Sequence, residues 1–201
     1  MARRLVFKFG SGVLTSDERV DLDGAQFVGL TQAIARLCKA GDECVVVSSG
    51  AVAAGLTSFG LDVRPTSLEV LQACAAVGQT RLMQYYESLF RLHGLHVGQL
   101  LLTHDDLRTP ERRGNVSNTL NQLLSFPKTI PVINENDSVA VEELRYGDND
   151  LLSSDVATLV EADLLVLLTS VDGLLHPETS ELVSRVDDID DVLDYASEEK
   201  G

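Results

Sequence analysis

Basic residues are the first thing this sequence is short of. Sixteen lysines and arginines face 31 aspartates and glutamates, a formal net charge of −15. Neither nucleic acid nor an anionic membrane favours so acidic a surface, so both are excluded as expected partners. No apolar run approaches the roughly 18–20 residues that a transmembrane helix requires. The first residues lead directly into a strand pattern, leaving no room for a signal peptide and implying a cytoplasmic chain. Cysteine is sparse as well: Cys38, Cys44 and Cys74 make no CxxC pair, and their odd number does not suit a disulfide framework. They read as small buried apolar residues in a reducing compartment. His93, His96, His104 and His176 show no metal-ligand spacing, so nothing points to zinc and no metal-ligating residue is assigned. Nucleophilic triads, internal repeats and low-complexity linkers are missing too.

What is present describes a soluble globular domain. The 201 residues are 44% hydrophobic and 23% charged, enough for one substantial core. Apolar runs at Leu5–Phe9, Cys44–Val47, Leu95–Leu102, Thr129–Ile133 and Leu164–Leu168 read as strands, the second and fifth buried on both faces. Helical spacing lies between them. Phe27, Leu30, Ile34 and Leu37 share one face behind an Asp23 cap, and Gly41 ends that helix. Thr66-Ser67-Leu68-Glu69 has capping-box spacing before a helix to about His93, with an interruption expected near Gly78. Thr103–Asn115 reads as a loop or short helix, Glu142–Tyr146 as a hairpin arm, and Leu152, Val156, Leu159 and Val160 as a stripe on a helix capped by Asp148 or Asn149. The acidic end, from Asp187 to Glu199, reads as a solvated face. Strands alternating with helices imply an α/β fold: a three-layer αβα sandwich around a mostly parallel sheet. Ligands in such sheets bind beyond the carboxyl ends of the strands.

Four polar or glycine-rich clusters follow strands and are expected to meet along that rim: Gly10-Ser11-Gly12, Ser48-Ser49-Gly50, Asn134-Glu135-Asn136-Asp137 and Thr169-Ser170. Lys8 lies inside an apolar strand. It is either a buried cation awaiting a phosphate or a surface-facing lysine on an edge strand. The glycines after it would let backbone N–H groups approach phosphate oxygens, although GSG is neither a Walker A motif nor GxGxxG. Ser48–Ala51 suits either an anion site at a helix start or an ordinary N-cap. The Asn134–Asp137 cluster offers carboxylate for an α-ammonium and amide N–H for an α-carboxylate. Asp148-Asn149-Asp150 caps its helix, contacts the same amino acid, or holds Mg²⁺ together with phosphate oxygens.

Seven segments in order resemble the glutamate 5-kinase family. They are VFKFGSGVLT (6–15), VVVSSGAVAAG (45–55), AAVGQTRLMQ (75–84), VGQLLLT (97–103), PVINENDSV (131–139), GDNDLLS (147–153) and LLVLLTSVDGL (164–174). The resemblance implies an amino-acid kinase fold over residues 1–201 and ATP-dependent phosphorylation of the glutamate side-chain carboxylate, the first step of proline biosynthesis. By motif position, Lys8 would contact the ATP phosphates, with Gly10, Ser11, Gly12, Thr169 and Ser170 near the nucleotide. Ser49, Gly50, Ala51, Asn134, Asp137, Asp148 and Asn149 would bind glutamate. Asp150 would organise the catalytic lysines or Mg²⁺. A homodimer or tetramer inhibited by proline is also implied. Two departures stand out. Ser170 replaces a frequent aspartate, and the later glycine-rich segment with its second lysine, like the PUA domain of many relatives, does not occur in these residues. The resemblance therefore leaves weak activity, a catalytically impaired amino-acid-binding module, or a related kinase with another substrate as alternatives.

Overall fold

A computed structural model describes residues 2–15, 21–140 and 149–195. The chain divides into two units, Met1–Leu168 and Thr169–Gly201. Five parallel strands order the first unit: β1 (Arg4–Phe9), β2 (Glu43–Val47), β3 (His96–Leu102), β4 (Thr129–Glu135) and β5 (Leu164–Leu168), arranged β3-β4-β2-β1-β5. Parallel neighbours need crossovers, and helices supply them. These are α1 (Ser11–Leu14), α2 (Gly24–Lys39), α3 (Ala51–Ser58), α4 (Leu68–Arg91), α5 (His104–Arg108), α6 (Pro110–Ser125) and α7 (Asp150–Leu159).

The pleat sorts the strands' side chains between two cores, giving the three layers expected. Leu5, Phe9, Val46 and Val132 face Phe27 and Ile34 of α2 and Leu82, Tyr86 and Phe90 of α4. Val6, Val45, Val47 and Ile133 face Val116 and Leu120 of α6 and Leu152 and Val156 of α7. Val45, Val46 and Val47 are fully buried, as a two-faced core strand requires. β5 departs from the reading as a buried strand. It pairs with β1 at the end of the sheet, and Leu164 and Leu167 are 51% and 47% exposed.

Local chemistry explains most boundaries. The Asp23 carboxylate accepts from the N–H groups of Ala25 and Gln26 at 2.9 and 3.2 Å, and Gly41, at φ +101°, ends α2. Ser67 does start α4, but its hydroxyl donates to the Glu69 carboxylate at 2.7 Å, so the expected capping box does not form. A comparable device appears instead before α5, where Asp106 accepts from both the N–H and the hydroxyl of Thr103 at 2.8 Å. The polar stretch from Thr103 to Asn115 is thus two helix starts, α5 and α6, rather than loop.

Gly78 does not interrupt α4, which is continuous through it. A Cβ at Gly78 would lie 1.8 Å from the Ala51 carbonyl oxygen, and one at Gly55 would lie 1.9 Å from that of Cys74. The two glycines let α3 and α4 touch backbone to backbone, with Val52, Leu56, Leu71 and Ala75 packed around the crossing. That contact brings the start of α3 beside the residues that follow Gly78.

In the second unit, Leu175 and Leu182 form an antiparallel bridge, Gly173 turns at φ +139°, and Ile189–Tyr195 is a 3₁₀ helix. The His176 and Tyr195 rings meet edge to face at 5.0 Å. Asp187, Asp188 and Asp190 are exposed, in keeping with a solvated acidic face. The hairpin arm expected at Glu142–Tyr146 lies outside the described residues.

Candidate functional site

Lys8 is on β1, an inner strand between β2 and β5 rather than an edge, and is 7% exposed. This removes the surface-facing alternative. Its ammonium lies 2.5 Å from the Asp150 carboxylate, which opens α7. Strand β1 and helix α7 thus hold one cation and one anion together at the carboxyl end of the sheet. A cation buried to this degree needs such a partner. Gly10 follows directly. Its N–H donates to the Leu168 carbonyl at 3.0 Å, so that N–H is not the phosphate donor the sequence suggested. The lack of a side chain serves space instead: a Cβ there would lie 3.3 Å from the same oxygen and 3.6 Å from the Lys8 ammonium. Ser11 and Gly12 begin α1.

Strand β2 runs directly into Ser48 and Ser49, both buried. Gly50 caps α3 at φ +96°, a left-handed conformation that glycine adopts without strain. The positive end of α3 therefore begins at Ala51, next to two buried hydroxyls. The Ser48 hydroxyl pairs with the buried Tyr86 phenol at 2.8 Å. Burial pushes that phenol's pKa up, so it remains neutral.

The amides form a chain across the ends of the strands. Asn134, at the end of β4, donates to Gln79 Oε1 at 2.9 Å and accepts on Oδ1 from Asn149 at 2.9 Å. The Asn149 amide also reaches the Ser48 carbonyl at 2.7 Å and the Ser49 hydroxyl at 3.2 Å. Asn149 was expected to cap α7. It does stand at the N-cap, but its side chain makes no cap bond and serves this network. Three buried polar atoms here have no hydrogen-bond partner among the described residues: Gln79 Nε2, Asp137 Oδ1 and Asn149 Oδ1. A buried polar atom without a partner is costly.

Asp137 is 6% exposed. Burial pushes its pKa up to about 7; the nearby Glu135 charge adds to the shift and Arg64 opposes it. Asp137, Glu135 and Gln79 line a cavity of about 980 Å³, together with Ala51, Met83 and Leu101. The space can take a small polar molecule.

The structure thus brings together Lys8 with Asp150, and Ser49 with Asn134 and Asn149; Ala51 and Asp137 share the cavity with Gln79. Asp148 lies outside the described residues. Thr169 and Ser170 belong to the second unit, where Thr169 Oγ1 accepts from the Val171 N–H at 3.4 Å. Gln79 was missed by sequence reasoning. The available signal was Gly78: a glycine inside a helical pattern marks a close approach, and the next side chain sits where that approach is made. The influence of Glu135 on Asp137 was missed because strand alternation alone does not give the distance between two such side chains.

A model of the amino acid kinase family matches residues 3–200. The chain belongs to the amino acid kinase family. Among characterised proteins, a glutamate 5-kinase of Pseudomonas putida (strain W619) is 51% identical over 177 residues, which is 88% of this chain and 47% of that protein. One from Thioalkalivibrio sulfidiphilus is 51% identical over 173 residues, 86% of this chain and 46% of that protein. One from Pseudomonas aeruginosa (strain UCBPP-PA14) is 52% identical over 177 residues, again 88% and 47%. The family member described here spans about half the length of these relatives.

Proposed function

We propose that the chain forms the amino-acid-binding part of a glutamate 5-kinase, one kinase domain over residues 1–201 that transfers the γ-phosphoryl group of ATP to the side-chain carboxylate of L-glutamate. The observation that carries this reading is the set of three partnerless buried atoms. Asp137 Oδ1 and Asn149 Oδ1 are acceptors, as an α-ammonium requires, and Gln79 Nε2 is a donor, as an α-carboxylate requires. Ser49 and the N–H groups at Gly50 and Ala51 suit the remaining carboxylate, and Asn134 fixes the two amides on either side of it.

The chemistry needs no general base, because the attacking carboxylate is ionised at neutral pH. Its oxygen forms a bond to the γ-phosphorus while the bond to the ADP oxygen breaks. Both reactants are anions, so catalysis consists of alignment and charge neutralisation. Lys8 faces the transferring group and Asp150 aims its ammonium. Ser11 and Gly12 attend the nucleotide, with Gly10 as spacer. Among the described residues no group of three or more histidines, cysteines, aspartates or glutamates converges to hold a metal. Mg²⁺ enters as part of the Mg·ATP substrate, held chiefly by phosphate oxygens and water.

Proline carries the same ammonium and carboxylate as glutamate, and on this reading it competes for the same pocket. The exposed edge of β3 supports a homo-oligomer. No helix among the described residues is long and apolar enough to cross a membrane; the cytoplasmic location is part of the proposal.

A substrate panel tests the proposal. With ATP and hydroxylamine, L-glutamate is expected to yield γ-glutamyl hydroxamate and ADP. N-acetylglutamate, which lacks the ammonium, is expected to neither bind nor react. Asp137→Asn weakens glutamate binding far more than ATP binding. Equal binding of the two amino acids, or equal loss of glutamate and ATP affinity in the variant, contradicts the assignment.

A further inference from the structure

The amino ends of β2 and β4 border a second cavity, of about 590 Å³, on the opposite side of the sheet's strand ends from the site above. Cys38 and Cys44 both line it. Cys38 lies in the last turn of α2 and Cys44 is the second residue of β2. The connection between them is tight. Gly41 turns at φ +101°, its N–H donates to the Cys38 carbonyl at 3.1 Å, and the Asp42 N–H donates to the Leu37 carbonyl at 3.1 Å. This hairpin-like return sets the helix end against the strand start. Both side chains belong to the core between α2 and the sheet, where Cys38 packs against the cluster that holds Cys44, and each perturbs the ionisation of the other.

The pair is asymmetric. Cys38 is partly exposed, whereas Cys44 is 1% exposed. Cys38 was expected to be buried; its place on the last turn of α2, at the mouth of this cavity, leaves it accessible. The neighbouring Cys44 side chain holds the Cys38 thiol below its ordinary value, against burial and the Asp42 charge. The Cys38 side chain and burial push Cys44 up. Lys39, His93 and Lys128 border the cavity, and Asp42 is itself paired with Arg3 at 2.7 Å. Low-pKa accessible thiols next to a second thiol are the ones that oxidise reversibly.

We infer that Cys38 and Cys44 are a modification site, a dithiol that hydrogen peroxide converts into an intramolecular disulfide. The Cys38 thiolate attacks one peroxide oxygen and the O–O bond breaks. Hydroxide leaves, taking a proton to become water, and Cys38 becomes a sulfenic acid. The Cys44 sulfur then attacks the Cys38 sulfur. The S–S bond forms as the S–O bond breaks, and the departing hydroxide takes the Cys44 proton as a second water. Two thiols are oxidised and one peroxide is reduced to two waters. The proposal is independent of what the glutamate site does. Cys74 is fully buried between α3 and α4, outside this cavity, and serves as an internal control.

Peroxide treatment of the whole chain, followed by alkylation, trypsin and mass mapping, tests it. Cleavage after Lys39 separates the two cysteines into different peptides, so the disulfide reads out as a cross-link. The expected result is a Cys38–Cys44 cross-link, reversed by dithiothreitol, with Cys74 fully alkylated. In Cys44→Ser the cross-link disappears and dimedone captures a Cys38 sulfenic acid. Phenylarsine oxide, which bridges neighbouring thiols, binds the untreated wild type one to one and blocks the cross-link. Oxidation of Cys74 at the rate of Cys38, a cross-link between Cys38 residues of two molecules, or no arsenical uptake by the folded wild type overturns the inference.

Discussion

Asp137 carries a conflict between stability and binding. Its folded pKa is raised to about 7 by burial and by Glu135, well above the roughly 3.9 of an exposed aspartate. Between those values the folded state holds a proton that the unfolded state has released. Stability is therefore full below about pH 4 and declines as pH rises toward 7, by on the order of 2–4 kcal/mol. Asp137→Asn removes the penalty. In urea titrations the variant is expected to match wild type near pH 4 and exceed it at pH 8 and, on the proposed function, to bind glutamate far more weakly. A variant less stable than wild type at pH 8 would show that Asp137 is held by partners absent from this picture. The same conflict makes the residue useful, because an arriving ammonium supplies the charge that the empty site lacks.

The crossing of α3 and α4 controls where the site's residues stand. Gly78 presses on the Ala51 carbonyl, so the backbone that carries Gln79 is registered against the start of α3. Gly78→Ala cannot be absorbed by a side-chain movement, since the obstacle is backbone. The helices must separate, at about 1–3 kcal/mol of stability. On the proposed function, the KM for glutamate is expected to rise along with this loss, whereas a remote glycine such as Gly29, whose Cβ position is open, tolerates alanine with KM unchanged. Unaltered KM in Gly78→Ala would separate the crossing from the site. This helix pair also shows where sequence reading succeeds and fails. The strands, the Asp23 cap and the polar segments that follow β2 and β4 were legible because periodicity and capping are local. Gly78 was misread as a break because its meaning lies in Ala51, 27 positions away. Asn149 was read as a helix cap or an amino-acid contact, and its protein partners, Ser48 and Asn134, went unnamed for a similar reason: the sheet brings them near. Lys8 could be judged only once β5 was known to lie beyond it, which makes β1 an inner strand.

For the molecule as a whole, family membership and the acidic balance constrain function together. The fold places one buried lysine, paired with Asp150, on a chain of net charge −15 that on the present proposal handles two anionic substrates. Local positive features must then overcome a repulsive surround, and self-repulsion also weakens the folded state. Salt screens exposed charges over about 8–10 Å near physiological ionic strength. Raising sodium chloride from about 0.05 to 0.5 M, well past that screening range, is thus expected to raise the thermal midpoint. A midpoint that falls would mean attractive surface pairs, such as Arg3 with Asp42, outweigh the net repulsion.

Proton release on glutamate binding tests the central assignment most directly. Isothermal titration at about pH 6.5 in two buffers of different ionisation enthalpy measures it. If Asp137 receives the ammonium, its proton must leave, and a group titrating near 7 releases about three-quarters of a proton per glutamate at that pH. Release should vanish near pH 9 and in Asp137→Asn. Binding of glutamate at pH 6.5 with no proton released would contradict the account and place the ammonium elsewhere.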